Sequence, residues 1–455
     1  MDFREFLNKG KRGHLVGVGG VSMSPLAEVL SDRGLVISGS DTTESERTTH
    51  LRERGIRVFI GHKAENITPE VDFVVRTAAV HDDNPEIARA RELNIPVFER
   101  TQAWGAIMRD YENALCISGT HGKTTTTSMC THILMAAEAD PTVMIGATLP
   151  LLKAAHRVGK GNTIVMESCE YCNSFLQFFP TVAVILNVEE DHLDFFKDID
   201  DIKKSFRKFA ELVPEDGYVV ANLDDANTMD TVKGIDRKLV TFGMSPKADV
   251  TAKNITRRGC TTEFDLVNKG ETVERITLHV PGDHNIMNAL AAAAACLCLG
   301  LKPSAIKYGL ADFTGAGRRF EFKGKYNGVD VYDDYAHHPS EIKALLNAIE
   351  ELDYKRYIVV FQPHTYTRTK MLFDDFVTQL RRPDLVYLAE IFAARETNTL
   401  GISSADLAEK IDGAKFFKTF GEIEADLRRE AQPGDLIVTV GAGNVYKIGE
   451  YLCGK

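Results

Sequence analysis

The chain has 455 residues, too many for one ordinary core and enough for about three domains. With 44% hydrophobic and 26% charged residues, disorder and fibrous repeats are excluded. The 54 Lys+Arg against 65 Asp+Glu give a net charge of −11 without blocks of like charge. That balance argues against a duplex-wrapping or membrane-surface protein, so no nucleic-acid partner is expected and an anionic ligand needs a local positive pocket.

The longest apolar run, Ala289 to Leu301, is 13 residues long, short of a bilayer span and suited to a buried helix. The N-terminus, MDFREFLNKGKRG, has neither a leading apolar stretch nor a small-residue cleavage pattern, so a cytoplasmic protein is expected. Eight scattered cysteines read as thiols in a reducing compartment rather than a disulfide framework.

Apolar runs of strand length alternate with helical patterns almost throughout, which predicts an α/β fold with largely parallel sheets. The first strand, His14 to Val18, leads into GVGGVSMS, and Pro25 suits the first turn of a helix. Gly17 and Gly19 fit the first two positions of G-x-G-x-x-G, Gly20 adds a third glycine, and Ser22 stands where the last glycine belongs. Asp41, 21 residues past Gly20, sits where an acid would bind a ribose. Three readings fit: a nucleotide or sugar-nucleotide loop, an NAD-linked oxidoreductase, or a tight βα turn. A first unit closes near residue 105.

The next strand, ALCIS, runs into Gly119-Thr120-His121-Gly122-Lys123-Thr124-Thr125 and then a helix. Here glycines let backbone N–H groups converge on phosphate oxygens, and Lys123 can reach the β/γ-phosphates. The Thr124 hydroxyl can ligate Mg²⁺. Only two residues separate the glycines, so this is a shortened phosphate loop, with a glycine turn capping a helix as the plain alternative.

Downstream, Glu167 ends the strand NTIVME, and Asn187, Glu190, Asp191, His192 and Asp194 follow VAVILNV. Strand ends of open α/β sheets face the ligand crevice, and Glu167 is the carboxylate best suited to Mg²⁺. His192, taken alone, reads first as a capping or core histidine. Cys169 and Cys172 form C-x-x-C without a second pair of metal spacing, and Cys296 and Cys298 lie in an Ala-rich helix; all four read as structural. Short β-rich pieces between about 238 and 280 predict an antiparallel patch. A last unit begins near the glycine-rich segment at 313–321.

With these motifs in view, the chain resembles the Mur ligase family, which builds peptidoglycan precursors. The resemblance rests on the glycine loop, GTHGKTT, NVEEDHLD, HNIMNALAA at 284–292, GAGRRFE at 315–321, DDYAHHPSE at 333–341, FQPHTYTRTK at 361–370 and GDLIVTVGAGNVYKIGE at 434–450. It implies a UDP-sugar-binding Rossmann-like domain at 1–105, a central ATPase-type domain at 106–312, and a Rossmann-like amino-acid-binding domain at 313–455. The implied reaction joins L-alanine to UDP-N-acetylmuramate through an acyl phosphate, with ATP and Mg²⁺. The alternative is the recycling member that joins a tripeptide to the same sugar nucleotide; a regulator without turnover is a further rival.

By the same resemblance, Gly17, Gly19, Gly20, Ser22 and Asp41 contact the sugar nucleotide. Gly119, Thr120, Gly122, Lys123, Thr124 and Thr125 hold phosphates, and Thr124, Glu167 and His192 hold metal. His284, Asn285 and Asn288 lie near adenine, and Arg319 reaches the phosphates. Tyr335, His337, His364 and Arg368 serve the muramoyl and alanyl groups, with His337 the expected base; Asp334 either orients it or merely ends a strand. Domain closure on binding is expected, and the chain is a monomer or a dimer. Two departures stand out: Glu167-Ser168-Cys169-Glu170-Tyr171-Cys172 replaces a more usual Glu-Ala-Asp-Glu-Ser-Asp, and Ala336 stands where glycine is common.

Overall fold

The computed structural model describes residues 1–455 apart from Ala78, Asp194 and Arg395, so Asp194, expected at a strand end, lies outside the described residues. Five strands, β1 (Arg12–Val16), β2 (Val36–Asp41), β3 (Arg57–Ile60), β4 (Phe73–Arg76) and β5 (Val97–Glu99), form a first sheet in the order β3-β2-β1-β4-β5. All its pairs are parallel. Because the chain crosses to opposite sides of β1, the loop after it opens at a topological switch point, the place where such sheets bind ligands.

Next come β6 (Asn113–Ser118), β7 (Thr142–Leu149), β8 (Ala154–Arg157), β9 (Thr163–Glu167), β10 (Val182–Ile185), β11 (Tyr218–Asn222) and β12 (Lys238–Phe242), ordered β12-β11-β10-β6-β9-β7-β8. Its central strands are runs of buried Val, Ile, Leu and Ala, as a sheet covered on both faces requires. The helix Ile199–Glu211 shows why cover forms. Asp198 accepts the N–H of Asp201 at its start, and Ile202, Phe206, Phe209 and Ala210 make one buried stripe. Phe175 stacks on Phe209 at 4.6 Å and meets Phe206 edge-on at 5.4 Å, a contact whose removal costs about 3–5 kcal/mol.

The antiparallel patch is narrower than expected. Lys238–Phe242 pairs parallel to β11, and the antiparallel ladder lies further on, between β14 (Thr261–Asn268) and β15 (Glu271–Leu278), after β13 (Val250–Arg258). Strand-length apolar pieces do not reveal pairing direction, which connections decide. Unforeseen antiparallel pairs occur at β7–β8 and between β16 (Glu321–Tyr326) and β17 (Val329–Asp334).

The last sheet adds β18 (Arg356–Phe361), β19 (Leu385–Ala389), β20 (Lys415–Phe417) and β21 (Asp435–Val440), ordered β16-β17-β21-β18-β19-β20. Strands β17 and β18 flank β21, so the loops after these three cluster at one sheet end. Residues 1–250 with 291–309 make one compact unit, and residues 251–290 with 310–455 make another. Within the first, the helix Arg100–Met108 lies against the turn Tyr171–Gln177 so closely that a Cβ on Gly105 would stand 1.9 Å from the Gln177 carbonyl oxygen.

Candidate active site

The loop after β6 is built to be empty of side chains. Gly119 has φ 144°, and a Cβ there would stand 2.8 Å from Leu186 Cβ; Gly122, at φ 83°, opens the helix Lys123–Ala136. The segment after β10 braces it. Asn187 accepts the His121 N–H at 2.7 Å and donates to the His121 carbonyl at 3.2 Å, while Glu189 N–H donates to Thr120 Oγ1 at 2.9 Å. Backbone N–H groups at a helix start thus meet at the end of the sheet's middle, as anion binding requires. Thr125, on the first turn, is buried.

Lys123 is folded onto this loop, donating to the carbonyls of Gly119 (2.5 Å) and Thr120 (3.0 Å) and to Glu170 at 3.0 and 3.2 Å. Burial opposes its charge, but the Glu170 carboxylate more than offsets that, and the ammonium stays protonated with its pKa above the ordinary value. Thr124 Oγ1 donates to Glu167 at 3.0 Å, and Gly146 N–H holds the other Glu167 oxygen at 2.6 Å. A Cβ on Gly146 would stand 2.6 Å from that carboxylate, so only glycine allows this cradle. A hydroxyl and a carboxylate oxygen side by side fit a hard cation such as Mg²⁺.

His192 sits elsewhere in the cluster. Its Nε2 lies 3.8 Å from both Glu170 and Asp191, its ring packs on Tyr171 at 4.7 Å, and its φ of 54° is strained for a residue with a side chain. Thr124 and Glu167 are therefore together, while His192 faces Glu170, the partner of Lys123. Glu170 was overlooked at the sequence level, although its place three residues past a strand-ending Glu was a usable signal. Cys169 and Cys172, expected to be structural, are exposed residues, whereas Cys116, Cys130 and Cys296 are buried. Cys169 lies in a loop and Cys172 in the short turn Tyr171–Gln177, which spacing alone did not reveal.

In the first sheet, Gly17 (φ 83°) and Gly20 close a turn through Gly20 N–H to Gly17 O, 3.1 Å. Asp41 accepts the Gly19 N–H at 2.9 Å and the Thr42 N–H at 2.8 Å, so its carboxylate shapes the loop. Ser22 Oγ accepts from Arg100, a part-buried guanidinium that no motif flagged, and the Ser22 carbonyl accepts from Trp104.

In the second unit, Asn285 Nδ2 donates to the Pro281 carbonyl at 2.7 Å and Asn288 Nδ2 to Asn285 at 3.3 Å, beside His284, at the start of the helix Asp283–Cys298. The two adjacent arginines divide their work. Arg318 is tied to Asp333 (2.9 Å) and to the carbonyls of Gly441 and Gly443. Arg319 makes no ion pair among the described residues and lies over the Tyr335 ring at 5.0 Å.

His337 and His364 come together at 5.8 Å between ring centroids, and His364 Nδ1 meets Arg368 at 3.3 Å. The strand ends of β17 and β18 bring them there. Asp334 does not orient His337: its oxygens accept the N–H groups of Phe320 and Ala336, both at 2.8 Å. Burial pushes that carboxyl up to about 6 despite Arg319 nearby. Glu341 instead reaches His337, at 2.9 Å from its N–H and 3.2 Å from its Nδ1, while His338 caps the helix Pro339–Glu350. The capping spacing H-P-S-E was the missed signal.

Three family models match the chain in order: the Mur ligase family, catalytic domain, at 12–112; the Mur ligase middle domain at 117–296; and the Mur ligase, glutamate ligase domain, at 318–443. A UDP-N-acetylmuramate–L-alanine ligase of Clostridium novyi is 46% identical over 454 residues, covering 99% of each chain. The crystal structure of a UDP-N-acetylmuramate-alanine ligase from Thermotoga maritima superposes with a TM-score of 0.81 at 29% identity, covering 97% of this chain and 98% of that one. A murein peptide ligase from Psychrobacter arcticus shares the fold, with a TM-score of 0.69 at 23% identity and 97% and 98% coverage. With three family models matched in order along the chain and a relative 46% identical over 99% of both chains, the chain belongs to the Mur ligase family.

Proposed function

We propose that this chain joins L-alanine to the carboxylate of UDP-N-acetylmuramate, consuming ATP, as a step in building peptidoglycan precursors in the cytoplasm. What carries this reading is the end-to-end likeness to ligases of that activity, 46% identical over 99% of both chains in the Clostridium novyi relative. No helix among the described residues is long and apolar enough to cross a membrane.

A carboxylate is a poor electrophile, so amide formation needs activation. Transfer of the γ-phosphoryl group to the muramoyl carboxylate gives an acyl phosphate; the alanine amine then attacks that carbonyl and phosphate leaves. Gly119 to Thr125 supply N–H donors to the phosphates, and Lys123 exchanges Glu170 for phosphoryl oxygens as charge develops there. Thr124 and Glu167, with His192 completing the set, would hold Mg²⁺, which neutralises phosphoryl charge when bound.

The remaining roles follow the same reading. Gly17, Gly19, Gly20, Ser22 and Asp41 take the sugar nucleotide; His284, Asn285, Asn288 and Arg319 take ATP. Tyr335, His337, His364 and Arg368 take the reacting ends, Arg368 as a planar fork for the amino-acid carboxylate and His337 as acceptor of the amine proton. The proposed domains are 1–105, 106–312 and 313–455.

The test is phosphate release from ATP and Mg²⁺ with UDP-N-acetylmuramate, with and without L-alanine, beside a tube with L-Ala-γ-D-Glu-diaminopimelate. Release that depends on L-alanine is expected. Release with the tripeptide alone would reassign the chain to recycling, and no release in any tube would leave a non-catalytic regulator.

A further inference from the structure

The segment Glu167 to Cys172 carries thiols where carboxylates are usual in the family, and one of them, Cys169, sets a sulfur that the ligation reaction does not use beside Glu170 and His192. Cys169 is exposed, Glu170 is buried and His192 is partly buried. One donor atom from each lies within 4.8 Å of the other two, and Glu170 Oε1 stands 3.8 Å from His192 Nε2. In a tetrahedral site with bonds of about 2.0 Å to N and O and about 2.3 Å to S, donors stand about 3.3–3.5 Å apart. Contraction by up to about 1.5 Å closes the set. The strained backbone of His192 and the Tyr171 ring against it hold the imidazole toward Glu170.

We propose that Cys169, Glu170 and His192 form a binding site for a thiophilic divalent cation, Zn²⁺ in the first instance, with water in the fourth position. The sulfur–metal bond forms as the Cys169 thiol gives its proton to solvent; no electron is transferred. Oxygen-preferring Mg²⁺ keeps Thr124 and Glu167 in either case, and a thiolate-bound Zn²⁺ would compete with it for His192. An occupied site draws Glu170 away from Lys123, whose ammonium now rests on it at 3.0 Å.

Cobalt(II) reports the site without substrate. Added to the full-length protein under non-chelating reducing conditions, Co²⁺ should give a thiolate-to-metal absorption band that Zn²⁺ abolishes. Cys169→Ser should lose the band and weaken Zn²⁺ binding, followed by calorimetry, by about tenfold or more; Cys172→Ser should retain both, and His192→Asn should weaken binding. Absence of the band, its survival in Cys169→Ser, or its loss in Cys172→Ser overturns the site. Since neither ATP nor sugar nucleotide is present, these outcomes are independent of whether the ligase reading holds.

Discussion

At the residue scale, chemistry and scaffolding separate most sharply in pairs of neighbours. Lys123→Ala should lower L-alanine-dependent phosphate release by about 10²–10³-fold while leaving the far-UV spectrum unchanged. Arg318 and Arg319 make a second contrast. Arg319→Ala should cut turnover with little change in denaturant midpoint, because among the described residues its guanidinium makes no ion pair. Arg318→Ala should instead lower the midpoint, since buried Asp333 would lose its paired guanidinium and the Gly441 and Gly443 carbonyls this donor. Equal stability losses in the two variants would refute the division. Gly119 is constrained differently: any side chain must adopt φ 144° and press on Leu186, so Gly119→Ala should cost about 1–3 kcal/mol, measured by urea unfolding.

At the scale of elements, Glu86 joins the first sheet to its cover. Fully buried at the start of the helix Pro85–Glu92, it accepts from Ser40 on β2 and from Asn66, both at 2.5 Å, with His62 at 3.0 Å. His14 on β1 stands at 3.6 Å, an ion-pair distance when protonated. Burial alone would raise the Glu86 pKa, but these partners more than offset it and bring it from 4.5 to about 2. A depressed folded-state pKa means that the unfolded chain binds the proton first as pH falls. The stabilisation is therefore complete above about 4.5 and is lost as pH drops toward about 2, with a size on the order of 3 kcal/mol. The stability difference between wild type and Glu86→Gln should shrink through that window in denaturant titrations. A pH-independent difference would mean that the carboxylate charge is not what binds these elements together.

At the scale of the whole molecule, a ligand that binds only the folded chain stabilises it by mass action, by about 2.7 kcal/mol at a hundredfold excess over Kd. ATP with Mg²⁺ should raise the Tm of the wild type by a few degrees and leave that of Lys123→Ala nearly unmoved. A shift of equal size in both would detach nucleotide binding from the loop after β6. The net charge of −11 fits this picture: attraction for a polyanion is confined to local sites such as the Gly119–Thr125 loop and the arginines of the second unit.

Much of this was legible before folding was considered. Alternating apolar runs and helical periods specify an α/β chain because each element must bury one face, and a strand–glycine–lysine–threonine–helix order has few physical uses other than phosphate binding. Local chemistry of that kind survives in any context. Pairing direction did not, since Lys238–Phe242 reads the same in a parallel or an antiparallel ladder until the connections around it are known. Nor could spacing reveal that Glu170 reaches Lys123 across 47 positions, that Gly146 cradles Glu167, or that Glu341 rather than Asp334 attends His337. Such contacts depend on which strand ends the topology gathers at one sheet edge, a property of long-range packing that no local pattern encodes. The same packing sets Cys169 beside Glu170 and His192, and leaves exposed two cysteines that composition would place in the interior.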